Sequence, residues 1–138
     1  GHLRACEPDS KTFGISAAHA EEKGRKVLKI KEICEKLNAE VQVAGDPERE
    51  VTQAVAGDLL SFIMGTAAEG SAWVTIQAHL NVAAVAVLKD MPLIILASGR
   101  KAPRDLEERC TAENICVACV AESIFRTCSR LSELGIEG

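Results

Sequence analysis

Apolar positions change period along the chain, and the stretch 71–100 sets the frame for the rest. Trp73-Val74-Thr75-Ile76 is a short β-rich run suited to a buried strand. From His79 to Asp90 the residues turn Ala- and Leu-rich, which favours a helix, and Pro92 bars that helix from continuing. Leu93-Ile94-Ile95-Leu96-Ala97 is a second continuous apolar run. Strand, helix apolar on most faces and apolar strand together predict a βαβ unit with parallel strands and a right-handed crossover.

The flanking pattern extends that unit. Ile30, Ile33, Cys34 and Leu37 are spaced for one face of a helix ending near Asn38, with Lys31, Glu32, Glu35 and Lys36 opposite. Val41-Gln42-Val43 alternates like a strand, Gly45-Asp46-Pro47 reads as a turn, and the segment 51–56 reads as one further strand ending at Gly57-Asp58. A short helix is expected over 59–68, closed by Glu69-Gly70. After the central unit comes a loop over 99–103, then a helix with Pro103 in its first turn, running to about Glu113. The run 115–120 is a third apolar strand. Ser123 is placed to cap a last helix in which Ile124, Cys128 and Leu131 share a face, and Gly135 stops it. The expected architecture is α/β, a single-domain three-layer α/β/α sandwich with a mostly parallel sheet over 27–138, preceded by a loosely ordered polar arm over 1–26. Gly1-His2 is open to two readings, a scar of expression or native sequence.

Composition narrows the classes. A chain of 138 residues that is 47% hydrophobic can bury a core of its own. The net charge of −4 gives no general attraction to nucleic acid or anionic membranes, and three Phe, one Trp and no Tyr supply no base-stacking platform. No apolar run approaches a bilayer span and no secretory signal is read, so a cytoplasmic protein is expected. Of the six cysteines, Cys34, Cys110, Cys116 and Cys128 fall inside periodic or strand-like segments, where a free thiol behaves as a small hydrophobe. Cys116-Val117-Ala118-Cys119 has redox-pair spacing, but in a strand its two thiols point to opposite faces, so no metal site is assigned. A cysteine-based metal or iron–sulfur protein stays as an alternative reading.

In open parallel sheets, ligands bind beyond the carboxyl ends of the strands. Asp58 follows one predicted strand; Gln77, His79 and Asn81 follow the next, with Thr75 at its end; Ser98-Gly99-Arg100 follow the third and Glu122-Ser123 the fourth. These groups offer donors, acceptors and one permanent cation for a phosphate or carboxylate. Asp58 could receive a ribose hydroxyl or orient His79. No Gly-x-Ser-x-Gly elbow, Walker loop or dinucleotide glycine fingerprint is present, so no catalytic residue and no cofactor are assigned. Arg49, between Glu48 and Glu50, reads as part of a solvated charge run or as a grip for a phosphate or carboxylate.

Gly57-Asp58-Leu59-Leu60-Ser61 with Met64-Gly65, followed by the string from Trp73 to Ala86, resembles the stand-alone DRTGG-domain proteins. The similarity covers about Lys29 to Ile136, while the name-giving motif is poorly kept: Arg49 is present, but Gln53 and Ala54 stand where the glycine pair would be. The resemblance implies a fold like the N-terminal domain of the phosphocarrier-protein kinase/phosphorylase and adds Ser61 to the candidate ligand site. It also implies a non-catalytic regulatory module binding a nucleotide or phosphometabolite, a homodimer, and a link to anaerobic redox metabolism with a hydrogenase-system partner. The alternative is a protein–protein adaptor without a small ligand.

Overall fold

The computed structural model describes residues 27–138; the expected arm over 1–26 lies outside the described residues. Its centre is a five-stranded sheet in the order β2-β7-β6-β5-β4, where β2 is Glu40–Val43, β4 Ala54–Ala56, β5 Ala72–Thr75, β6 Leu93–Leu96 and β7 Cys116–Cys119. Strands β4 to β7 are parallel, each paired with the next in the chain. Strand β2 closes the far edge antiparallel to β7, with an irregularity between Val41 and Val43. The Gln42 side chain works like an extra rung at this edge. Its amide nitrogen donates to Ala102 O at 2.8 Å and its oxygen accepts from Ala102 N at 2.9 Å.

Pleat alternation divides the core into two layers. Trp73, Ile94, Leu96, Val117 and Cys119 face the layer of α2 (Leu60–Thr66), α3 (Leu80–Leu88) and α4 (Arg104–Ala112). Ala72, Val74, Leu93, Ile95, Cys116 and Ala118 face α1 (Ile30–Leu37) and α5 (Ile124–Glu133). Because every residue of β5, β6 and β7 is buried, these strands read as unbroken apolar runs. The molecule is therefore the expected three-layer α/β/α sandwich with a mostly parallel sheet. Cys116 and Cys119 lie in opposite layers, as residues three apart in a strand must.

Local chemistry ends the helices where the residue types say it should. Glu32 Oε1 accepts from Lys29 N at 2.8 Å at the start of α1, and Asn38 takes a left-handed φ of 56° at its end. Ser123 Oγ accepts from Arg126 N at 3.1 Å, and Gly135 follows α5 at φ 98°. Gly45, at φ 58°, packs so closely on β7 that a Cβ there would sit 2.4 Å from Cys116 N.

The expected strand over 51–56 is two elements. Val51 belongs to β3 (Glu50–Val51), which pairs antiparallel with β1 (Leu28–Lys29) in a separate ribbon; the main sheet is rejoined at Ala54. Between them Gln53 bridges Glu137, and Ala54 N donates to Glu137 O at 2.8 Å, so the chain's last residues lie along the β4 edge.

Candidate functional site

Strands β4 to β7 run the same way, so the segments that follow them emerge at one edge of the sheet. Gly57-Asp58 follows β4, Ile76 to His79 follows β5, Ala97 to Arg100 follows β6, and Val120 to Ser123 follows β7. The candidate residues from the sequence therefore share this edge. Ser61, in the first turn of α2, is exposed near it.

Their roles divide by burial. Thr75 is wholly buried, and its hydroxyl donates to Asp58 Oδ1 at 2.6 Å while accepting from Gln77 N at 3.0 Å. The same Asp58 oxygen accepts from Ile76 N at 3.0 Å, and Gln77 Nε2 donates to the Asp58 carbonyl at 3.3 Å. Just before Asp58, the Gly57 carbonyl accepts from the buried Trp73 indole at 2.9 Å. Asp58 and Thr75 thus fasten the β4 and β5 exits together and form the floor of the edge. Neither serves to orient His79, whose Nδ1 instead accepts from Asn81 N at 3.0 Å and caps α3. With Nδ1 an acceptor, the neutral ring carries its proton on Nε2, away from that bond.

Gln77, His79 and Asn81 are exposed, as are Ser98, Gly99 and Arg100. The 98–100 turn is held by main-chain bonds: Ser98 N donates to Glu122 O at 2.7 Å, Gly99 N to Val120 O at 2.9 Å, and Arg100 N to Ala97 O at 3.1 Å. Ser98 and Gly99 both take positive φ, 57° and 75°. Among the described residues the Arg100 side chain has no carboxylate partner within ion-pair distance. Among the described residues the edge therefore presents amide groups, an imidazole and the Arg100 guanidinium above a hydrogen-bonded floor. That set can hold an anionic or hydroxyl-rich ligand by polar contacts.

Two features escaped the sequence reading. Glu122 anchors the β6 exit through its carbonyl, and its carboxylate accepts from Arg130 at 2.7 Å, with Arg126 at 3.9 Å. The four-residue spacing of 122, 126 and 130 was the available signal. Arg49, a candidate grip for a ligand anion, instead pairs with Asp90 at 2.9 Å. Asp90 lies just before β6, so that pair is at the opposite edge from the candidate site.

No cluster of three or more His, Cys, Asp or Glu side chains suited to a metal ion occurs among the described residues. Nor is any described helix long and apolar enough to cross a membrane.

No family model and no curated relative matches the chain. Its fold is similar to a solved structure of the CBS and DRTGG domains of the regulatory region of Clostridium perfringens pyrophosphatase, complexed with the activator diadenosine tetraphosphate. The TM-score is 0.65 at 18% sequence identity, over 78% of this chain and 47% of that one. The chain thus spans about half the length of that structure, and at this identity the likeness shows the fold alone.

Proposed function

We propose that the chain is a non-catalytic regulatory module of the DRTGG type. It binds a small anionic ligand, a nucleotide or a phosphometabolite, at the carboxyl edge of its parallel sheet. The observation that carries this reading is the shared edge itself: exposed Gln77, His79, Asn81 and Arg100 stand above the Asp58–Thr75 floor. The fold likeness to a region that is regulatory in its parent pyrophosphatase, and bound there to a nucleotide activator, supports the same reading. In this reading the module works in the cytoplasm as a homodimer, with Leu59 and Phe62 at the start of α2 and Leu80, Val87 and Leu88 on α3 supplying exposed apolar surface for self-association.

A thermal-shift screen of mono- and dinucleotides and phosphorylated metabolites tests the ligand reading, because a ligand that prefers the native state raises the melting temperature. The expected result is a shift with the wild type that disappears in Arg100→Ala and Asn81→Ala. A shift that both variants retain places the ligand elsewhere; no shift with any compound at millimolar concentration favours the adaptor reading.

The link to anaerobic redox or hydrogenase metabolism rests on the sequence resemblance alone. Titrating purified iron-only hydrogenase against the labelled chain tests it: saturable binding supports the link, and its absence removes it.

A further inference from the structure

A cleft of about 450 Å³ opens between α1 and the 44–47 turn, on the amino-terminal side of β7. Its walls are mostly apolar, with Ile30, Ala39, Val41, Ala44 and Pro47, and it is lined by two cysteines from distant parts of the chain. Cys34 comes from α1 and is 7% exposed; Cys116, the first residue of β7, is 1% exposed. Both belong to the same core layer and both line this one cleft. This cleft is remote from the carboxyl-edge site, and the proposed ligand-binding role makes no use of it.

We propose that Cys34 and Cys116 form a reactive dithiol that a low-molecular-weight disulfide entering this cleft converts to an intramolecular disulfide. Cys34 is the attacking group. It is the more exposed of the two, 7% against 1%, and so the one a molecule in the cleft reaches first, whereas burial disfavours the thiolate at Cys110, Cys119 and Cys128. The Cys116 thiol is pushed upward by the neighbouring Cys34 and by burial, which suits the second, resolving role. Cys34 sulfur attacks one sulfur of the small disulfide, the S–S bond breaks, and one small thiol leaves with a proton. Cys116 sulfur then attacks Cys34 Sγ in the mixed disulfide, gives up its proton, and expels the second small thiol. Two protein thiols are oxidised and one disulfide is reduced to two thiols. The new bond ties α1 to β7 within a core layer that both elements share.

Oxidised glutathione is the probe, and mass spectrometry of the whole chain and its tryptic peptides is the measurement. The wild type should lose two hydrogen atoms and yield a peptide pair linked through Cys34 and Cys116, reversed by dithiothreitol. In Cys116→Ser the resolving thiol is gone, so one glutathionyl group should remain on Cys34. In Cys34→Ser, Cys116 should stay unmodified. If native wild-type protein keeps both thiols free under an oxidising glutathione buffer, or if Cys116 couples to Cys110 or Cys119 instead, the proposal is overturned. The wild-type experiment decides the matter even where a serine variant folds poorly.

Discussion

The hydroxyl of Thr75, wholly buried at the end of β5, lies 2.6 Å from Asp58 Oδ1, and that oxygen also accepts the Ile76 amide at 3.0 Å. A charged acceptor shortens and strengthens both bonds. Thr75→Val preserves shape and removes the donor, so it should cost about 1.5–3 kcal/mol of stability in a denaturant titration. Asp58→Ala should cost at least as much, because it strands a buried hydroxyl as well as an amide. A Thr75→Val midpoint indistinguishable from wild type would show that this contact does not hold the floor.

Much of the frame was legible because the elements that build it are local patterns. Strands β5, β6 and β7 are unbroken apolar runs between turn residues, and α1 and α5 carry apolar residues at helical spacing with Asn38 and Ser123 at their ends. The run over 51–56 misled because its apolar residues serve two sheets: Val51 pairs with Leu28, and Ala54 pairs with Ala72. A two-residue strand such as β1 has no period to detect. The direction of β2 was not legible either, since alternation looks the same in both directions and the partner, β7, comes some seventy residues later. At the site, the order of strands told which residues emerge together. It could not tell that Thr75 turns inward to Asp58, that the His79 ring folds back onto its own helix, or that Arg49 finds Asp90 across the fold.

His79 should show two separable roles. Its Nδ1 caps α3 by accepting from Asn81 N, so His79→Ala should lose about 0.5–2 kcal/mol, the usual cost of removing a cap. Exposure alone suggests the substitution is nearly silent; the bond says otherwise. His79→Asn restores a capping oxygen and should recover most of that stability. If the ring also contacts ligand, His79→Asn should still bind weakly despite melting near the wild-type temperature. Equal melting temperatures for the Ala and Asn variants would remove the capping role.

Glu48 lies between Lys29 at 3.0 Å and Lys31 at 2.8 Å, and their hydrogen bonds and positive charges lower its carboxyl from 4.5 to about 2. A carboxylate depressed by folding stabilises the native state above its unfolded pKa, and that contribution disappears as pH falls through the folded value. The loss should therefore fall between about pH 4.5 and about pH 2. Glu48→Gln should flatten this part of the stability profile, and added salt should do so partly, because the carboxylate is exposed to solvent. A side-chain NMR titration gives the direct check: a midpoint near the ordinary value in low salt contradicts the pairing.

Self-association is expected to use the outer face of α2 and α3. Leu59 is 67%, Phe62 55% and Leu88 69% exposed, Leu80 and Val87 on α3 are exposed too, and neither helix contains a charged residue. A two-fold interface brings each patch against a copy of itself, so any charge near the axis faces its own like charge; a neutral apolar face has no such penalty. Stable interfaces bury about 800 Å² on each partner. Sedimentation of the wild type at roughly tens of micromolar, where weak dimers form, should therefore show dimer. Leu88→Glu and Phe62→Glu should each shift it to monomer while leaving circular dichroism and melting of the subunit nearly unchanged, since both side chains are more than half exposed. A wild type that stays monomeric at that concentration, or a dimer that survives both substitutions, removes this face as the interface.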